Sequence, residues 1–393
     1  MGRSVVLAGA RTPIGKLQGG LAPLSGAELG AIAIREALAR AGIEAERVDY
    51  VIMGQVLRAG TGQITARQAA VAAGIPKETP ALNVDKVCLS GLTAVALADQ
   101  LIRAGEVELV VAGGMESMTN APYVLPAARA GSRLGDAELV DSMIRDGLWS
   151  SFSRMTMGED SDGVNAELGI TREEQDAWAA RSHRRAAEAW ERGDLAEEVV
   201  PVEVPQRRGE PVVVARDEGI RPETTPEALA ALPPAFTPQG TITAGNASQI
   251  SDGACALVVA SAEAAERLGA APLAEIVAHG MSAGRFAYLH TAPALALEAA
   301  LKKAGLGLED LELVEVNEAF AAVALHVTRL LGLDEERVNP NGGAVALGHP
   351  IGMSGARLVL TLAHEMRRRG ARLGAATICG GGGQGDALVL RRP

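Results

Sequence analysis

The sequence predicts an α/β protein of two duplicated halves, with a segment inserted in the first. Three observations lead there. Short apolar runs of strand type alternate with Ala- and Leu-rich helical runs that stop on glycine. The alternation then repeats: residues 298–317 match 35–54 without gaps, Gly42 pairs with Gly305 and Leu38 with Leu301 at an offset of 263, and Ser90-Gly91 pairs with Ser354-Gly355 at 264. A repeat of this length signals a duplicated α/β unit. Between about 119 and 247 the chain turns richer in charge and proline, which marks the insertion.

In chain order, residues 5–8 read as a strand, left through the loop Arg11-Thr12-Pro13-Ile14-Gly15. Helical spacing over 27–41 ends on Gly42, a strand follows at 48–53, and a short Ala-rich helix at 63–74. A strand at 82–87 leads into Cys88-Leu89-Ser90-Gly91, an apolar helix at 92–104 stops on Gly105, and a buried strand at 109–112 is followed by a Gly113-Gly114 turn. The insertion reads as helices at 137–147 and 172–193, the second with a solvated charged face, then short strands through 201–214. A strand at 255–260 resumes the body, with Cys255 as a small buried hydrophobe. In the second half Ser354-Gly355 opens an apolar helix, followed by a strand and a Gly380-Gly381 turn. Duplication places matching loops face to face across a pseudo-twofold axis, so Cys88 is expected near His349 and Cys379.

With 393 residues, 48% of them hydrophobic but only 3% aromatic, the core must be Ala, Val, Leu and Ile packed around glycine. A net charge of −11 speaks against nucleic acid or an anionic membrane as partner, although local arginines and helix N-termini still allow a phosphorylated small ligand. No apolar run is read as a membrane span, and no signal peptide precedes the first strand. Three cysteines point to a reducing compartment, and a cytoplasmic location is expected. No metal site and no cofactor are expected.

Cys88 stands at a helix N-terminus, where the helix dipole favours a thiolate and a nearby histidine would favour it further, as an activated nucleophile requires. His349 is presented from a glycine-rich turn between Gly348 and Pro350. Cys379 ends a strand and enters four glycines whose N–H groups can bind an oxyanion. Gly380, Gly382 and Gly385 also satisfy G-x-G-x-x-G, but a strand follows and the sequence ends, where a dinucleotide site needs a helix and a later acidic residue.

Cys88-Leu89-Ser90-Gly91, Gly113-Gly114-Met115-Glu116-Ser117, Thr243-Ala244-Gly245-Asn246-Ala247-Ser248, Asn317-Glu318-Ala319-Phe320, Gly348-His349-Pro350 and Cys379-Gly380-Gly381-Gly382, in this order, resemble the thiolase family over essentially the whole chain. The resemblance implies a layered α-β-α-β-α fold: an N-terminal half at 1–118 completed by 249–270, a coenzyme A-binding loop domain at 119–248, and a C-terminal half at 271–393. It implies that Cys88 accepts the acyl group of an acyl-CoA, that His349 takes its proton, and that Cys379 removes a proton from C2 of acetyl-CoA. Asn317 would hold a water that forms one oxyanion hole with His349, and the N–H groups of Cys88 and Gly381 would form the other. Ser248 would meet the pantetheine, Leu148, Met157 and Phe320 would line its tunnel, and Arg221 would face the nucleotide. Coenzyme A thioesters are then substrates, and homo-oligomers, dimers or tetramers, are the expected assembly.

The resemblance implies an acetyl-CoA C-acetyltransferase, with a broader degradative 3-ketoacyl-CoA thiolase as the alternative. Two departures bear on that choice. Thr156, where such members usually carry histidine, precedes Met157-Gly158, with Ser161-Asp162-Gly163 beyond. The segment 280–293 lacks the usual Met-Gly-x-Gly-Pro loop and offers Tyr288 and His290, the latter read as a solvated loop histidine. Fatty-acid condensing enzymes use paired histidines where this chain has Asn317 and Cys379. An inert lipid-carrier relative would lack one of the cysteines, and a redox protein would join Cys88 to Cys379.

Overall fold

The computed structural model describes residues 2–131 and 133–393. Nine strands run through one hydrogen-bonded sheet: β1 (Ser4–Arg11), β2 (Tyr50–Gly54), β3 (Ala81–Val84), β4 (Leu109–Ser117), β5 (Ser251–Ser261), β6 (Ala274–Ala283), β7 (Leu313–Val316), β8 (Leu373–Gly380) and β9 (Gln384–Arg391). Their order is β7-β8-β9-β6-β1-β5-β4-β2-β3, and the two-residue strand Gly15–Lys16 adds to β5.

The order is the duplication drawn in backbone. Outward from β1, pairing is antiparallel to β5, antiparallel to β4, parallel to β2 and parallel to β3. Outward from β6, it is antiparallel to β9, antiparallel to β8 and parallel to β7, and Val314 then bridges Val338 in parallel. The halves join where β1 and β6 pair antiparallel, Val5 opposite Glu275.

The helices repeat as well. α1 (Gly26–Ala41) and α2 (Thr65–Ala72) cover the outer face of the first half, and α6 (Ala292–Ala304) and α7 (Ala321–Leu330) that of the second. α3 (Ser90–Ala104) and α8 (Ser354–Arg369) pack on each other between the two halves of the sheet, so the order of layers is α-β-α-β-α. Every residue of β4 is buried, as a strand covered on both faces requires. Gly42, Gly105, Gly305 and Gly370 close α1, α3, α6 and α8 at φ of 64, 76, 67 and 69°, the left-handed cap that glycine takes without strain. Ser25 and Glu28 start α1 with a reciprocal capping box.

Several expectations need correction. Gly113-Gly114 is not a turn: both glycines lie inside β4, because a Cβ on Gly113 would stand 2.0 Å from the Cys255 carbonyl oxygen and one on Gly114 2.0 Å from that of Gly352. Residues 137–147 form a two-residue strand, Val140–Asp141, and a single π-type turn, Met143–Leu148, not an α-helix. Helix α5 (Arg172–Arg192), which follows α4 (Met157–Leu168), does carry a solvated charged face at Glu173, Arg184, Glu188 and Glu191, but its opposite face buries Gln175, Asp176, His183 and Arg185. Val87–Ala104 is, counter to expectation, long and apolar enough to cross a membrane, but 56% of it is buried in the protein, as befits a core helix.

Candidate functional site

The central helix pair creates the site. Gly91 and Gly355, equivalent in the repeat, let α3 and α8 start against each other: a Cβ on Gly91 would lie 2.9 Å from the Ala356 nitrogen, and one on Gly355 2.4 Å from that of Leu92. Cys88 immediately precedes α3 and the His349 turn precedes α8, so this close approach draws both loops to one place. The carbonyl of Gly352 fits among Gly54, Gly91 and Gly114, at 2.7, 3.0 and 2.0 Å from where their side chains would begin.

The Cys88 loop is held from several sides. Val87 has φ of 50°, a left-handed conformation in which a β-branched residue is an outlier and which the surroundings must enforce. The Ser90 hydroxyl donates to the Val87 carbonyl at 2.6 Å and accepts from the Lys86 N–H at 2.8 Å. Lys86 Nζ reaches across to Asp386 on β9, 2.7 Å away, and Thr93 donates to the same carboxylate at 2.6 Å.

Cys88 is half-buried beside Val56, Leu57, Met118 and Ile351, and the three cysteines are free thiols. Burial pushes the Cys88 thiol up to about 12; the N–H groups of Cys88 itself and of Gly381 pull it down, while the Glu116 carboxylate raises it further. Burial and the Glu116 carboxylate thus favour the neutral thiol, against the thiolate expected from the helix N-terminus. Cys379 is buried at the end of β8, and burial, then the proximity of Cys88, raise its pKa too.

His349 is buried; burial and then the Arg357 guanidinium push it down to about 3, so its imidazole is neutral. Its Nδ1 lies 2.6 Å from the Ser354 hydroxyl, and its Nε2 lies 3.5 Å from Asn317 Nδ2. Asn317 is fully buried, and its Oδ1 has no partner among the described residues. The neighbouring Glu318 is a fixed hub, accepting from Trp178 at 2.9 Å, Ser182 at 2.7 Å, Asn339 at 3.0 Å and the Val345 N–H at 3.1 Å.

Two halves matched by duplication thus bring the Cys88 thiol, the Cys379 thiol and the Gly381 N–H together, with the neutral His349 imidazole held beside Asn317 on the turn before α8. The chain matches the thiolase N-terminal domain over residues 4–263 and the thiolase C-terminal domain over 270–392. The chain belongs to the thiolase family. It is 57% identical to a probable acetyl-CoA acetyltransferase of Mycolicibacterium smegmatis over 388 residues, covering 99% of this chain and 100% of that one. It is 52% and 50% identical to the acetyl-CoA acetyltransferases of Pseudomonas aeruginosa and Cupriavidus necator, each over 99% of both chains.

In this thiolase the five residues expected along the coenzyme A path fall into three places, and His290, Tyr288 and Thr156 into others. Leu148 packs with Cys88, Val56, Leu57 and Ile351. Met157 and Phe320 share another apolar cluster with Cys379; Phe320 meets Phe236 edge-on at 6.0 Å, and Ser248 donates its N–H to the Ala319 carbonyl at 3.1 Å. Arg221 stands apart on an exposed loop, its N–H bonded to His183 Nδ1 at 3.1 Å. His290 is not solvated: it is fully buried, with Nε2 2.8 Å from Asn165 Oδ1, and burial, then His326, push it down to about 3. Tyr288 is hydrogen-bonded to Glu167 and lies under the Arg285 guanidinium. Thr156 caps α4 in a capping box with Glu159.

Sequence reasoning passed over Glu116 and Ser354. Glu116 is fully buried on β4 and accepts from the N–H groups of Val56, Leu57 and Gly352 at 3.0, 3.1 and 3.0 Å; burial raises its pKa to about 7 against those three bonds. It ties the loop after β2 to the His349 turn. A carboxylate in an otherwise apolar strand must find such partners, and that was the signal available.

Proposed function

We propose that this thiolase is an acetyl-CoA C-acetyltransferase, condensing two acetyl-CoA reversibly to acetoacetyl-CoA and CoA through an acetyl-Cys88 intermediate. The observation that supports it most directly is the approach of the Gly381 N–H, from the second half, to the Cys88 sulfur in the first, beside that residue's own N–H. A thioester carbonyl attacked by this sulfur develops its negative charge toward those two donors.

The resting protonation states suit the chemistry. Neutral Cys88 gives its proton to neutral His349 as it attacks, so the thiolate exists only along the reaction coordinate. The departing CoA thiolate takes the proton of Cys379. The Cys379 thiolate then removes a proton from C2 of the second acetyl-CoA, and the resulting carbanion attacks acetyl-Cys88. Cys88 leaves as a thiolate and is reprotonated by the His349 imidazolium. The enolate oxygen is met by His349 and by a water on Asn317, whose Oδ1 has no partner among the described residues.

Residues 119–248 form the coenzyme A-binding loop domain in this reading, between a first half at 1–118, completed by 249–270, and a second at 271–393. Pantetheine passes Ser248, Leu148, Met157 and Phe320 to reach Cys88, and Arg221 faces the nucleotide. Coenzyme A thioesters are substrates and no further cofactor takes part. The edge strand β3, with Leu82 exposed, supports association with a second copy, as a dimer or a homotetramer in the cytoplasm.

The test is kcat/KM for thiolysis of 3-ketoacyl-CoAs of increasing chain length, with the acyl-enzyme located by mass spectrometry. A sharp preference for acetoacetyl-CoA and acetylation of Cys88 are expected. Equal or rising values with length make the enzyme a degradative 3-ketoacyl-CoA thiolase, and no turnover removes the activity.

A further inference from the structure

Two cavities adjoin the tetraglycine turn. The first, of about 750 Å³, is the cleft over the site, lined by Val87, Phe152, Met157, Gly381 and Gly382 among others. The second, of about 530 Å³, is an open groove whose floor is mainly apolar, with Met155, Val164, Phe286 and Ala287, and whose lining also carries Glu159, Asp160, Glu167 and Arg285. Phe152 lines the first, Phe286 lines the second, and their rings stack at 4.2 Å between centroids, 13° from parallel. The stack is therefore a partition two rings thick.

Glycine geometry fixes where it stands. A Cβ on Gly382 would lie 3.2 Å from the Phe152 ring, and one on Gly383 2.4 Å from the Arg285 carbonyl oxygen and 2.9 Å from the Phe286 Cα. The Gly284 N–H donates to the Gly383 carbonyl at 2.9 Å, pinning the segment that carries Phe286 onto the same turn whose Gly381 N–H faces Cys88. Both rings keep much of their surface in solvent, 60% for Phe152 and 49% for Phe286, so neither holds the core together.

We propose that the Phe152–Phe286 stack is the acyl-length stop of this enzyme. It stands at the end of the cleft that Gly381 and Gly382 line, and it separates that cleft from a neighbouring groove with a mainly apolar floor and room for a longer acyl chain. The inference rests on the acyltransferase reading above and names the residues that set its substrate class. A medium-length chain attached to Cys88 needs the groove, and with both rings in place it meets their faces instead.

Phe152→Ala, Phe286→Ala and the double variant test this against the wild type. The readouts are the ratio of kcat/KM for 3-ketooctanoyl-CoA to that for acetoacetyl-CoA, and the Kd of the unreactive thioether S-octyl-CoA. Opening the partition should raise the ratio roughly tenfold or more and tighten S-octyl-CoA by a similar factor, the scale set by a few methylenes gaining an apolar site. An unchanged ratio, a parallel fall with both substrates, or a wild type that already prefers the eight-carbon substrate overturns the inference. A wild type inactive on every 3-ketoacyl-CoA overturns the acyltransferase reading instead, and S-octyl-CoA binding then decides the partition by itself.

Discussion

His349 Nδ1 lies 2.6 Å from the Ser354 hydroxyl, and that hydroxyl donates to the Pro350 carbonyl at 2.9 Å. A hydroxyl has one proton to give. With it committed to Pro350, Ser354 can only accept from His349, so the imidazole carries its proton on Nδ1 and turns a bare Nε2 toward Asn317. Ser354 is thus a positioning residue: it selects the tautomer that leaves Nε2 free to accept a proton.

Ser354→Ala therefore lowers kcat by about tenfold to a hundredfold, the equivalent of roughly 1–3 kcal/mol for a buried donor left without its acceptor. Nitrogen NMR of the labelled imidazole distinguishes this from simple loosening. The wild type should show a single Nδ1–H tautomer and the variant a mixture, whereas a variant with unchanged tautomer and unchanged kcat defeats the assignment.

The two thiols should separate by half-reaction. Cys88→Ala abolishes acyl-enzyme formation. Cys379→Ala still accumulates acetyl-Cys88 from acetyl-CoA, yet slows condensation by about 10²–10⁴-fold, the usual contribution of a placed acid/base. Mass spectrometry of the trapped enzyme reads the first step and acetoacetyl-CoA formation the second. Equal loss in both steps would give Cys379 a different part.

Unliganded Cys88 should be a sluggish thiol. Its pKa is raised to about 12, so the thiolate fraction at pH 8 is small and grows about tenfold per pH unit through pH 11. Alkylation by iodoacetamide, followed as a function of pH on the intact enzyme, should climb without a plateau over that range. A plateau near pH 7 would mean that the helix N-terminus dominates after all.

Gly114→Ala tests the carbonyl cradle. Its Cβ would arrive 2.0 Å from the Gly352 carbonyl oxygen, which belongs to the backbone of the His349 turn and has little room to retreat. We expect a loss of about 1–3 kcal/mol, seen as a lowered Tm, and a fall in kcat as the turn shifts. An active variant of undiminished Tm would show that the turn moves freely.

Much of this was legible in the sequence because duplication and glycine caps are local. The pairings Gly42 with Gly305 and Ser90 with Ser354 mark equivalent helix ends in three dimensions, and they bring Cys88, Cys379 and Gly381 together as the repeat implies. What escaped depends on partners distant in sequence. Gly113 and Gly114 read as a turn because nothing nearby says that the backbones of Cys255 and Gly352 press on them. His290 looked solvated in a polar loop, yet Asn165 and His326 enclose it. Cys88 looked acidic because its helix is visible in the sequence, while Glu116 and the burial that oppose it are not.

The junction between the halves has a consequence for how the chain is made. β1 leaves the ribosome well before its neighbours β5 and β6, Ser4 lying opposite Ser261 and Ile276. At roughly 5–20 residues per second, some 10–50 seconds of translation separate the strand from its partners. During that interval β1 stays apolar and unpaired, and neither half of the sheet has its central seam. That segment has to stay clear of wrong partners during synthesis for the seam between the two halves to close.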